Sequence, residues 1–120
     1  MNSRYFTEQE LACQHCGATK FDEDFLALLS LIRKECNFPF IVSSAYRCKD
    51  HPIEARKNHS GEHSTGMAID IACSGEKALQ LVTVALKHGI KRIGIQQKGS
   101  GRFIHLGYST ELPTPAIWSY

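Results

Sequence analysis

The stretch His59 to Ala72, HSGEHSTGMAIDIA, constrains this chain more than any other. Met67 to Ile71 alternates in the two-residue period of a strand. Asp70 therefore projects from one face while Ile69 and Ile71 bury on the other. Ala68 shares Asp70's face and leaves room beside it. Gly66 allows a sharp turn between His63 and Asp70, because glycine takes positive φ without steric cost. A second run, Arg102 to Gly107 (RFIHLG), sets His105 on one face and Ile104 and Leu106 on the core face. If the two strands pair antiparallel, Asp70 and His105 come within ligand distance of each other. Two imidazoles and a carboxylate match a catalytic zinc site, which keeps three protein ligands and one open position. The expectation is a Zn2+ ion held by His63, Asp70 and His105.

A chain of 120 residues makes one domain, residues 1–120, with a core but no room for a second binding module. Its apolar and charged fractions, 42% and 22%, are those of an ordinary globular protein. A net charge of +2 is too small to argue for nucleic acid, and helps only mildly in meeting an anionic surface. The start, MNSRYFTEQELAC, lacks the apolar run of a signal peptide, so cytoplasmic synthesis is expected. No segment approaches the roughly 20 apolar residues that span a bilayer. A monomer is expected. Five cysteines, an odd number, argue against a complete disulfide framework.

Along the chain, Thr7 to Glu10 is a capping box that opens a short helical turn. Cys13-Gln-His15-Cys16-Gly17 follows. One C-x-x-C is weak evidence for a metal, and it reads first as a knuckle turn with packed thiols. His15 with a distant Cys36 or Cys48 is the alternative, a second metal site. Asp22 to Cys36 is an amphipathic core helix, acidic at its start and basic at its end, with Phe25, Leu28, Leu29 and Ile32 at helical spacing. Residues 40–44 read as a strand after Pro39. Arg47 lies just beyond it, and a lone arginine there would by default be solvated. Residues 49–59 are polar, and His51 and His59 read as surface histidines, His59 near enough to line a cleft. Glu62 is expected to face solvent. Residues 75–88 form a second amphipathic helix, with Leu79, Leu81, Val82, Ala85 and Leu86 as its apolar face and Gly89 at its end. Residues 92–96 and 102–107 make a hairpin across a glycine-rich turn. Pro113 and Pro115 make the tail irregular, and Trp118 and Tyr120 pin it to the body.

The His63 stretch resembles the S-x-H-x-x-G-x-A-x-D signature of the zinc D-Ala-D-Ala carboxypeptidases and L-alanyl-D-glutamate endopeptidases that cleave bacterial peptidoglycan. The Hedgehog signalling domain shares their fold. FIHLGY resembles the family's second motif, and YFTEQELACQHCG, SSAYRC and PAIWSY extend the likeness over nearly the whole chain. Gly61 stands where the family has serine. The resemblance implies an α+β fold, with helices on a small, mainly antiparallel sheet. It also implies zinc, a peptidoglycan peptide as substrate, and action on the cell wall after release or from a virion, as in phage or prophage lysis proteins. For Arg47 it implies a place in the active site, where its planar fork would grip a substrate carboxylate or a developing oxyanion.

Amide hydrolysis also needs a proton shuttle. The family places an acid or histidine shortly before or beside the third ligand, but residues 96–103 contain neither. Gln97 stands roughly where some relatives carry Glu, and Gly107 where others have Asp. Glutamine cannot shuttle a proton at pH 7. Three readings follow: an active peptidase whose base is Glu62, His59 or another group; a degenerate zinc-binding wall or virion module; and a redox or zinc-knuckle protein. The motif spacing disfavours the third.

Overall fold

The computed structural model describes residues 4–48 and 62–120. Helix α1 (Glu8–Leu11) is closed by the expected capping box: Glu10 N–H donates to the Thr7 hydroxyl at 3.2 Å, and Thr7 N–H to the Glu10 carboxylate at 2.9 Å. Helix α2 (Glu23–Cys36) starts where the Asp22 carboxylate accepts the Phe25 N–H at 2.8 Å. It ends at Asn37 in the left-handed region, ahead of Pro39. Strand β1 (Ile41–Ser44) follows, then a 3-10 turn (Glu62–Thr65), β2 (Ala68–Ala72), α3 (Gly75–Lys87), β3 (Arg92–Gln96), β4 (Phe103–Gly107) and β5 (Ala116–Ser119).

The strands form one sheet in the order β1-β2-β4-β3-β5. The first three pairings are antiparallel, and β5 lies parallel to β3. The chain is thus α+β with a mainly antiparallel sheet, as expected. Strand β5 is a correction, since the tail was expected to be irregular. Ala116 N–H donates to Lys91 C=O at 2.8 Å just past Pro115, at a sheet edge where a preceding proline does no harm.

One face of the sheet is the core. Ile69, Ile71, Ile93, Ile104 and Leu106 meet Phe25, Leu29 and Ile32 of α2 and Ala78, Leu81 and Ala85 of α3. Each fully buried isoleucine or leucine contributes roughly 1.5–3 kcal/mol against exposure. The buried stripe of α3 is rotated from the expected one: Leu79 and Leu86 are exposed, while Ala78 and Val84 are buried. Alanine at 78 and 85 lets the helix approach closely, and α3 has more apolar residues than one packed face can hold.

The opposite face carries a row of paired residues, Ser44, Asp70, His105, Gly94 and Trp118, running across all five strands. The expected pairing of Asp70 with His105 is direct. This register places one polar residue from each of β1, β2 and β4 side by side.

Candidate metal centre

His63 is delivered by the 3-10 turn ahead of β2. The turn is pinned at Gly66, whose φ is +74°, and a Cβ there would stand 1.8 Å from the Lys20 carbonyl oxygen. Gly66 C=O accepts Asp22 N–H at 2.9 Å, so only glycine lets the two segments touch. The turn aims His63 Nε2 at Asp70 Oδ1, 3.3 Å away, and His105 Nδ1 lies 3.0 Å from the same oxygen. A tetrahedral ion with bonds of about 2.0–2.1 Å to nitrogen and oxygen separates its ligand atoms by about 3.3 Å. All three side chains are buried.

The outer nitrogen of each ring is fastened. His63 Nδ1 lies 2.6 Å from the Ala45 carbonyl oxygen, which can only accept, so Nδ1 donates there and Nε2 is the nitrogen turned toward Asp70. His105 Nε2 lies 2.8 Å from Glu62 Oε1. A carboxylate behind a ligating histidine fixes its tautomer and orientation. The donor set, spacing and outer contacts therefore fit the expected zinc ion.

Glu62 is not at the surface. It is buried, and its carboxylate also accepts from Arg92 Nε at 2.8 Å and from Ser109 N–H at 3.2 Å. Arg92 in turn donates to the Pro113 carbonyl and stacks on Trp118. The expectation of a solvent-facing Glu62 fails because Gly107 has no side chain: a Cβ at 107 would lie 2.2–2.5 Å from the Glu62 carboxyl group. The carboxylate fills the space that a residue 107 side chain would need, and reaches His105 from behind.

Electrostatics follow from these contacts. Burial alone would raise Asp70, but His105 and His63 outweigh it and hold its carboxyl well below the usual range. Burial likewise opposes ionisation of Glu62, yet His105 and Arg92 lower it. Burial disfavours the His105 cation, and Asp70 and Glu62 more than offset that and raise it.

Arg47 faces this cluster. Its Nη2 is 3.6 Å from Asp70 Oδ2 and its Nε donates to Ser44 Oγ at 3.0 Å, while its backbone N–H donates to His63 C=O at 3.0 Å. The solvated-surface alternative does not hold, since its side chain is 13% exposed.

Gln97 is elsewhere. Alternation from Ile93 and Ile95 puts it on the helix face, beside Ala78, Leu79 and Ile104, and its amide donates to Cys73 C=O at 3.0 Å. It does not share the face of His105, because a strand position an even number of residues from Ile93 points toward α3. His51 and His59 lie outside the described residues.

Tyr120 was given only a packing role, yet it stands at the cluster. A Cβ at Gly94 would lie 2.6 Å from the Trp118 indole nitrogen and 2.8 Å from the Tyr120 hydroxyl, so the bare glycine admits both rings beside His105. The Trp118 and His105 ring centres are 5.1 Å apart. Partial burial, followed by the negative charges of Asp70 and Glu62, raises the Tyr120 phenol, against the lowering effect of its hydrogen bond with Trp118 and of the Arg47 charge. A signal was present: Gly94 interrupts an isoleucine-rich strand, which marks close approach of another group.

The five cysteines divide into two kinds, and none of them forms a disulfide. Burial pushes the Cys36 and Cys73 thiols up to about 11, which makes them inert packing groups. Burial acts the same way on Cys13, but hydrogen bonds from the backbone of Cys48, Cys16 and His15 reverse it and bring the thiol down to about 7.

An apolar groove of about 460 Å3 between α3 and β5, lined by Val82, Leu86, Ile90 and Ile117, has Lys91 as its one titratable group among the described residues.

No curated protein and no solved structure is found to match the chain. The sequence model of the family Peptidase M15 matches residues 4–107, a span that runs from before α1 to the end of β4 and includes His63, Asp70, His105 and Arg47. M15 peptidases are zinc-dependent, and the His63, Asp70 and His105 cluster is a candidate site for that metal. The chain belongs to the peptidase M15 family and is a metallopeptidase.

Proposed function

We propose that this chain hydrolyses an amide bond in the stem peptides of bacterial peptidoglycan, as a carboxypeptidase or an endopeptidase, and serves as a phage or prophage cell-wall lysis protein. The observation that carries the reading is the convergence of His63 Nε2, Asp70 Oδ1 and His105 Nδ1, with both outer ring nitrogens already fastened. The peptidoglycan substrate, the phage origin and action at the wall after release rest on the motif resemblance.

Bound at these three side chains, zinc would polarise the scissile carbonyl and ease deprotonation of water. Arg47, held by Ser44 and Asp70, presents a fixed fork that can grip a substrate carboxylate or the oxyanion. Glu62 is a positioning residue in this account. Its oxygens are committed to His105, Arg92 and Ser109, so it keeps His105 Nδ1 turned inward rather than shuttling protons. Tyr120 carries a raised, protonated phenol beside the cluster and is suited to donate a hydrogen bond to developing negative charge.

A second reading is a zinc-binding wall or virion module with poor turnover. It is favoured by one observation: among the described residues the buried carboxylates are Asp70 and Glu62, and neither is free to act as base. His59 remains the base candidate nearest in sequence. Mass spectrometry of purified peptidoglycan incubated with zinc-loaded protein separates the readings. New stem-peptide fragments, absent with His63→Ala, are expected. Intact peptidoglycan from several cell-wall types, with zinc still bound, would replace the hydrolase by the binding module.

A further inference from the structure

Three cysteines from two distant segments meet beside the residue that carries the guanidinium. Cys13 and Cys16 flank the turn after α1, and Cys48 directly follows Arg47. The turn is built by its backbone: Gly17 N–H donates to Cys13 C=O and Cys13 N–H to Ala18 C=O, both at 2.8 Å. The Sγ atoms of Cys13, Cys16 and Cys48 all lie within 4.8 Å of one another, and those of Cys13 and Cys48 are 3.6 Å apart. Thiolates on a tetrahedral zinc, with bonds of about 2.3 Å, stand about 3.8 Å apart. A disulfide needs about 2.0 Å.

The surroundings are built for a charged sulfur. Cys48 N–H points at Cys13 Sγ at 3.3 Å, and the backbone of Cys16 and of His15 also donates to that sulfur. Amide donors converging on one sulfur satisfy a thiolate that also ligates a metal. Cys16, moreover, is exposed, whereas a cysteine present only for packing is among the most buried of residues.

We propose that Cys13, Cys16 and Cys48 form a second, structural zinc site, separate from the His63, Asp70 and His105 centre. Three soft thiolates select zinc over magnesium or calcium. Among the described residues no fourth side chain joins them at the same spacing, so the fourth corner is open to water or a small thiol. Of the residues that the sequence suggested for the C-x-x-C turn, His15 with Cys36 or Cys48, the structure supplies Cys48, leaves Cys36 at the end of α2 and does not bring the His15 ring into the group. The metal's task follows from its place. Tyr46 N–H donates to Leu11 C=O at 3.2 Å, and the zinc would tie this same junction by side chains, holding the segment that presents Arg47 to Asp70. The proposal stands whether or not the protein hydrolyses peptidoglycan.

The test is metal content after purification under reducing conditions and dialysis against a weak chelator. Two zinc ions per chain are expected for wild type and one for Cys16→Ser. Since Cys16 is exposed, its replacement leaves the core intact. His105→Ala should also retain one ion. Cobalt put into that variant should give thiolate-to-cobalt charge-transfer absorption, which Cys16→Ser in the same background abolishes. One zinc in wild type, undiminished in Cys16→Ser, overturns the proposal. So does cobalt without the charge-transfer band, or a Cys13–Cys48 disulfide with no metal at these sulfurs.

Discussion

Gly107→Ala is the sharpest structural test of how the centre is held. Gly107 has an ordinary extended backbone, so alanine brings no conformational strain of its own, and strands tolerate it. Its Cβ would nonetheless stand 2.2 Å from Glu62 Oε2 and 2.3 Å from Oε1. The carboxylate must leave, and three contacts go with it: His105 Nε2 at 2.8 Å, Arg92 Nε at 2.8 Å and Ser109 N–H at 3.2 Å. The Arg92 side chain is 11% exposed, so it loses the partner of a buried ion pair. Breaking such a pair costs roughly 3–5 kcal/mol. Loss of the carboxylate behind a ligating histidine should also weaken zinc binding by roughly 10–100-fold. Urea unfolding and zinc competition with a chromophoric chelator read the two effects. The double variant Gly107→Ala with Glu62→Ala isolates the cause: with no carboxylate to displace, it should be no less stable than Glu62→Ala alone. If Gly107→Ala keeps wild-type stability and zinc affinity, or if the double variant is additive, the reasoning about Glu62 is refuted.

Other outcomes follow from the same geometry. Arg47→Lys should lower kcat/KM on peptidoglycan peptides by tenfold or more, about 1.4 kcal/mol, with the melting temperature nearly unchanged; normal turnover would remove Arg47 from the chemistry. Gln97→Glu should give no gain in hydrolysis, because position 97 faces α3; a rise toward the roughly 100-fold expected of a restored general base would contradict that placement. The zinc-free protein should respond to pH in two senses. His105 is raised in the fold, so its contribution is complete below the unfolded value of about 6.5 and is lost as pH climbs through the folded one. Asp70 and Glu62 are lowered, so theirs is present above about 4 and is lost as pH falls through their folded values. Zinc must displace the His105 proton, so its affinity should rise with pH over the range where His105 titrates; an affinity independent of pH would place the metal elsewhere.

Much of the centre was legible because it lies on two strands with clean alternation. MAIDI and FIHLG fix which residues face which way, and one antiparallel pairing then sets Asp70 against His105. What could not be read was anything that depends on a missing side chain. Glu62 looked like a solvated acid beside His63, and only the empty space over Gly107 explains its burial. Gly94 plays the same part for Trp118 and Tyr120. Gln97 was misplaced for a different reason: counting back from His105 across a hairpin ignores the face, which alternation from Ile93 and Ile95 supplies. The parallel strand β5 is four residues long and follows two prolines, too short a pattern to outweigh their turn signal. In α3, apolar residues lie on more than one side, and the periodicity did not choose between the stripe of Leu81 and that of Leu79 and Leu86.

In the proposed function a catalytic zinc is held by this fold through specific atoms of three side chains. Anomalous diffraction at the zinc edge from crystals of the zinc-loaded protein tests it most directly. The expected result is a peak about 2.0–2.2 Å from His63 Nε2, an Asp70 carboxylate oxygen and His105 Nδ1, with Glu62 still bonded to His105 Nε2. No peak among these residues, or a metal on His105 Nε2 with Glu62 displaced, would contradict the account.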